Sequence, residues 1–115
     1  NKRIFYKFSV GTGAPDGMTV DCDNNLWVAC AQGGRIICLS PRAELLHTIN
    51  LPVSFITSCA FGGENLDQLF VTTSRLLDED RLTGEPDAGA IFSIDLRTHG
   101  IRGLPGNACR ITPPR

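Results

Sequence analysis

Apolar and polar positions along this chain alternate with a period of two, in short runs interrupted by turn residues. Met18, Val20 and Cys22 alternate with Thr19 and Asp21, the pattern of a strand with one buried face. Asp23-Asn24-Asn25 marks a turn before the apolar run Leu26-Trp27-Val28-Ala29-Cys30, so the two runs predict a hairpin. Gln32-Gly33-Gly34 reverses the chain into Arg35-Ile36-Ile37-Cys38-Leu39, and Ser40-Pro41-Arg42-Ala43 reverses it again into Leu45 to Leu51. Such Gly- and Pro-containing clusters punctuate extended structure. The pattern predicts a four-stranded meander.

The same order then recurs. Thr57-Ser58-Cys59-Ala60-Phe61, a Gly62-Gly63 turn, Leu69-Phe70-Val71-Thr72-Thr73, a long loop, Ala90-Ile91-Phe92-Ser93-Ile94 and Gly100 to Leu104 predict a second meander. Leu51-Pro52 in the first copy answers Leu104-Pro105 in the second, an offset of 53 residues that includes an insertion in the long loop. A four-stranded unit recurring at about 40 to 50 residues is the signature of propeller blades, each needing neighbours to bury its faces. An immunoglobulin-like sandwich suits the length but leaves the repeat unexplained. No stretch of ten or more residues shows helical period with caps, and Glu44 to His47 is too short to stand as a helix.

The expected fold is therefore all-β: a partial β-propeller of two four-stranded blades, with Arg3 to Phe8 as the outermost strand of a preceding blade. Residues 1–104 form the blades and 105–115 a tail. A closed propeller needs at least about 160 residues, more than the 115 present. No Met opens the chain, and a strand-like run starts almost at its first residue. The expectation is a piece of a larger molecule, sticky and prone to self-association through the open face of its first blade.

Composition changes this picture little. The chain is 42% hydrophobic and 20% charged, with a formal net charge of -1, which is ordinary for a globular domain and lacks the basic stripe of a nucleic-acid binder. No apolar run approaches the roughly 20 residues of a membrane span. Of five cysteines, Cys22, Cys30, Cys38 and Cys59 fall in strand-like apolar runs, where a reduced thiol packs as a small hydrophobe. That suggests a reducing, cytoplasmic setting. Their spacing contains no C-x-x-C, and the two histidines lie elsewhere, so a zinc reading has no support.

One family has these elements in this order. Asn1 to Tyr6, Pro15-Asp16-Gly17-Met18, Leu26-Trp27-Val28-Ala29, Gly33-Gly34-Arg35, Leu51-Pro52-Val53, Thr57 to Gly63, Leu69 to Thr73 and Gly89-Ala90-Ile91-Phe92 together resemble the carboxyl-terminal part of the senescence marker protein family. That family includes regucalcin, gluconolactonases and luciferin-regenerating enzymes. The resemblance implies a six-bladed propeller holding one divalent metal, calcium foremost, with zinc, manganese or magnesium as alternatives. The metal would lie at one end of the central channel, where sugar lactones are hydrolysed. It also implies that Asp16, in the Pro-Asp-Gly motif, is one of three metal ligands and a catalytic residue. The other two ligands, a Glu and an Asn, belong to earlier blades that these residues do not include.

Asp-Gly is also a common turn dipeptide, and from composition alone a turn would suffice. With the surrounding motifs the ligand reading stands first, since hard cations favour anionic oxygen donors. The expected function is a metal-dependent lactonase acting on small-molecule sugar lactones by metal-activated water, inactive in these 115 residues alone. The alternative is a non-catalytic, calcium-binding regulatory or partner-binding propeller, because one fold hosts both kinds of function. Neither nucleic acid nor membrane is an expected partner.

The remaining polar residues have structural readings. Asp78-Glu79-Asp80 through Asp87 lacks the ligand spacing of an EF-hand loop and is expected to be solvated. Asp21, Asp23 and Asn24 suit side-chain to backbone bonds at a hairpin turn. Neither His47 nor His99 belongs to a recognisable catalytic triad, and Ser58-Cys59 lacks a nucleophile elbow. Trp27 is expected to anchor the packing of its blade.

Overall fold

The computed structural model describes residues 1–75 and 84–114. Strands β1 (Ala14–Val20), β2 (Leu26–Ala31), β3 (Arg35–Leu39) and β4 (Leu45–Asn50) form one antiparallel sheet in sequential order. Strands β5 (Ile56–Gly62), β6 (Gln68–Thr73) and β7 (Ile91–Asp95) form a second. Each strand overlaps the run predicted for it, β1 beginning four residues earlier than its predicted start at Met18, and both sheets are meanders, as expected of adjacent propeller blades.

Burial follows side-chain alternation. Trp27, Ala29, Ile36 and Cys38 point from the first sheet toward Cys59, Leu69 and Val71 of the second, with Val53, Ile56, Ala88 and Leu96 completing this core. The opposite face of the first sheet presents Val28, Cys30, Ile37 and Leu39, against which Tyr6, Phe8 and Leu26 pack. The first sheet thus fills its β2 and β3 with apolar residues on both sides, which is why those runs read as continuous rather than alternating. Isolated bridges Asp21–Gly103 and Ala31–Phe55 tie the two sheets together.

Three expectations need correction. Gly100 to Leu104 is not a fourth strand beside β7. A single helical turn, Arg97–His99, ends on Gly100 in the left-handed conformation (φ 66°), a region glycine enters without steric penalty. The chain is thereby redirected: the Arg102 carbonyl accepts from Cys22 N–H at 2.9 Å, and Gly103 N–H donates to the Leu66 carbonyl at 2.7 Å. Those backbone groups are spent on the turns β1–β2 and β5–β6, so the second sheet has three strands among the described residues.

Arg3 to Phe8, likewise, pairs with no strand here. It lies over the outer face of the first sheet, with the Tyr6 and Phe8 rings edge-to-face at 5.3 Å. The ladder partner that would make it a strand is not among the described residues. Finally, Cys22 is exposed, because it sits in the β1–β2 turn rather than in β1, whereas Cys30, Cys38 and Cys59 are buried as expected. Residues 104–114 are exposed and without regular structure.

Candidate functional site

Asp16 occupies the third position of β1 and is exposed. The strand pairs Pro15 with Cys30 and then Met18 with Val28, so Asp16-Gly17 forms a bulge opposite Ala29. A bulge re-aims a side chain and interrupts pairing, and here the carboxylate projects from within a strand, although Asp-Gly by itself reads as a turn. Gly17 allows the arrangement by its size. A Cβ at that position would come within 2.7 Å of the Ser58 Cα, in β5, so only glycine lets the first strands of the two sheets approach this closely.

No side-chain hydrogen bond engages Asp16 among the described residues, and no group of three His, Cys, Asp or Glu able to hold a metal occurs among them. One anionic oxygen donor, open to the surroundings, fits a hard divalent cation in kind and falls short of a coordination sphere in number. Among the described residues, Asp16 thus stands as a lone exposed carboxylate.

Asp21, five residues on, is the contrasting case. It is 2% exposed, and its Oδ1 accepts from the backbone N–H groups of Asp23 (2.9 Å) and Asn25 (3.0 Å). Its Oδ2 accepts from Asn25 Nδ2 (3.1 Å) and Trp27 Nε1 (2.9 Å). All of its accepting capacity is used to hold the β1–β2 turn onto the buried indole, the arrangement a buried carboxylate requires. The sequence indicated the turn bonds. The bond to Trp27 was not visible in it, because alternation with Val20 and Cys22 places Asp21 on a polar face.

The other reactive side chains are likewise accounted for. Burial pushes the thiols of Cys38 and Cys59 up to about 12, with the Asp21 charge adding to the first. Cys59 Sγ donates to the Trp27 carbonyl at 3.6 Å. Such a thiol stays protonated and is no nucleophile. His47 stacks on Trp27, ring centroids 5.9 Å apart, and shares with His99 a groove of about 430 Å³ between β4 and β7. Asp95, on the same groove, is engaged by Arg97, which holds its carboxyl well below the usual range.

In the acidic loop, Glu85 is half-buried rather than solvated: its carboxylate accepts from Ser54 N–H (2.5 Å) and Ser54 Oγ–H (2.6 Å). Asp78, Glu79 and Asp80 lie outside the described residues. No helix among the described residues is long and apolar enough to cross a membrane.

Comparison with known proteins places this geometry. Residues 1–75 match the SMP-30/Gluconolactonase/LRE-like region. Regucalcin from Oryctolagus cuniculus is 44% identical over 107 residues, and regucalcin from Homo sapiens 45% over 106. These matches cover 91% and 90% of this chain, respectively, and 35% of each relative. The chain thus spans about a third of the length of the relatives it matches. Among solved structures, a calcium-binding regucalcin from Agrobacterium tumefaciens superposes with a TM-score of 0.79 at 25% identity, covering 89% of this chain and 34% of that one. A luciferin-regenerating enzyme superposes at 0.71 with 40% identity, covering 84% and 32%. The two sheets are neighbouring blades of that propeller architecture, and the chain belongs to the SMP-30/gluconolactonase/LRE-like family.

Proposed function

We propose that these residues form two adjacent blades of a divalent-metal-dependent lactonase, with Asp16 as one oxygen ligand and proton acceptor. The observation that supports it most is the contrast between the two aspartates. Asp21 is buried with four bonds, while Asp16 stands exposed on a bulge, available to an ion. Calcium is the first candidate, since the Agrobacterium relative is described as calcium-binding. Zinc, manganese and magnesium fit the same donor.

A bound divalent ion supplies Lewis acidity, polarising a lactone carbonyl and lowering the pKa of water. The part of this chain is to hold the ion through one Asp16 oxygen and to take up the proton of the attacking water on the other. Gly17, pressed against Ser58, fixes the backbone from which that carboxylate projects. The substrate class is a sugar lactone. Alone, one ligand cannot fix coordination number or orientation, so the 115 residues should show no lactonase activity.

The test is acid release from glucono-lactone by the complete propeller carrying these residues, with calcium, zinc, manganese or magnesium added, beside its Asp16→Ala variant. Metal-dependent hydrolysis that falls at least about 100-fold in the variant is the expected result, the scale on which loss of a transition-state contact acts. Equal rates remove Asp16 from the site. Absence of hydrolysis with every metal leaves the second reading, a calcium-binding regulatory propeller, which the name of the Agrobacterium relative favours.

A further inference from the structure

The first strands of the two sheets carry the same irregularity at the same end. In β1, Pro15 faces Cys30 and Met18 faces Val28, so three steps along the strand answer two along its partner. In β5, Ile56 faces Thr73 and Cys59 faces Val71, again three against two. Aligned on these pairs, Thr57 takes the place of Asp16, and Ser58 that of Gly17. The faces agree as well. Met18 borders a groove on the outer face of the first sheet, and Cys59 lies on the side of the second sheet that meets the first, which is the same side of each blade. Blades repeat around a central channel, so Asp16 and Thr57 are successive positions around one end of it.

The two positions are also neighbours. The close approach at Gly17 is to Ser58, whose Cα lies 2.7 Å from where a Cβ on Gly17 would stand, and Asp16 and Thr57 directly precede that touching pair. Their chemistry differs. A carboxylate suits a hard cation, whereas a neutral hydroxyl is a poor substitute for it and a good partner for another hydroxyl. Thr57 Oγ1 lies 2.8 Å from Thr72 Oγ1, and the Thr72 hydroxyl donates in turn to the Ser58 carbonyl at 3.5 Å. With its proton directed at that carbonyl, Thr72 accepts from Thr57, and the Thr57 proton is engaged too. What Thr57 keeps is the accepting capacity of its oxygen, on a bulge that sets its backbone apart from the regular ladder.

We infer that Thr57 is a specificity-determining residue of the lactonase proposed above, a reading on which this inference rests. Its Oγ1 accepts a hydrogen bond from a hydroxyl of the sugar lactone while Asp16 holds the ion. A polyhydroxylated lactone supplies that donor. A plain lactone of the same ring size lacks it and leaves the Thr57 oxygen without a partner, and a site that rewards a substrate hydroxyl discriminates against the analogue without one. Thr57 thereby favours sugar lactones over unsubstituted ones, and the step is one of recognition only: no bond to Thr57 forms or breaks.

The test uses the complete propeller carrying these residues, with divalent metal present, and compares kcat/KM for glucono-lactone with that for δ-valerolactone, the same ring without hydroxyls. Thr57→Val keeps the shape of the side chain and suits a strand. In that variant the ratio of the two values should fall about tenfold, the scale of one neutral hydrogen bond, and Thr57→Ser should restore it. Both rates come from one sample, so a loss of folded protein cancels in the ratio. An unchanged ratio in Thr57→Val, or an equal loss on both lactones, overturns the inference. Failure of the metal reading shows separately, as an Asp16→Ala variant as active as the parent, while the ratio still reports on Thr57. If the parent hydrolyses neither lactone, calorimetric titration with gluconate decides: about tenfold weaker binding by Thr57→Val upholds the hydroxyl contact, and equal binding, or none by the parent, overturns it.

Discussion

The first sheet hides four consecutive residues in β2, Trp27 to Cys30, and four in β3, Ile36 to Leu39, whereas the second hides alternate or separated residues, Ile56 and Cys59 in β5 and Leu69 and Val71 in β6, and none in β7. Both sheets have the same meander topology. The difference lies in what covers them. The first is sandwiched between the second sheet and residues 4–8; the second has, among the described residues, one covered face and one bare one. A strand covered on both sides becomes a continuous apolar run, and one covered on a single side alternates. The sequence of a strand therefore records how many of its faces are covered.

The largest test of this contrast is Trp27→Ala, which empties the core shared by both sheets. It should cost about 3–5 kcal/mol, as aromatic truncation in a packed core does. A urea midpoint that barely moves would show that the sheets are stabilised separately. Second, Asp21→Asn keeps the shape of the turn but directs an amide N–H at donors the carboxylate now satisfies. About 1–3 kcal/mol should be lost for donors left unpaired, and a neutral result would mean that the turn does not depend on that charge.

Alkali should act on the same core. The folded-state pKa of Cys38 and of Cys59 lies above the unfolded value of 9.0, so above pH 9 the unfolded chain releases protons that the folded chain retains. Stability contributed by these thiols is complete below pH 9 and declines as pH rises toward 12, by about 1 kcal/mol from each over the first unit. Melting temperatures measured at pH 8 and pH 10 check this; a flat profile would mean those thiols are not held in the core. The smallest effect isolates the two sheets: Ile36→Val should cost about 0.5–1.5 kcal/mol, while Ile91→Val on the bare face should stay within about 0.5 kcal/mol. Equal losses would erase the distinction.

Much of this architecture was legible in the residues. Period-two runs and Asn-, Gly- or Pro-containing turns located the seven strands of the described residues, since those signals act over a few residues. The two segments read as strands, Arg3 to Phe8 and Gly100 to Leu104, have the right local pattern but form no ladder among the described residues, the second bonding to turns instead, which no local pattern can show. Cys22 was misread because alternation was extended two residues past Val20, into a turn closed by Asp21. For the candidate site, periodicity was silent. Asp16 came from the resemblance of Pro15-Asp16-Gly17 and its flanking motifs, and the bulge that exposes it depends on how close β5 lies to Gly17, a tertiary fact.

Trp27 is the one tryptophan of the chain, wedged between the His47 ring at 5.9 Å and the Phe61 ring at 5.9 Å, with its N–H on Asp21. Its fluorescence is therefore an optical gauge of the seam between the two sheets and of nothing farther out. Light emitted on excitation should redden when the blades part and water reaches the indole. It should stay unchanged when only the outer faces are disturbed, so one spectrum separates unfolding from events at the surface.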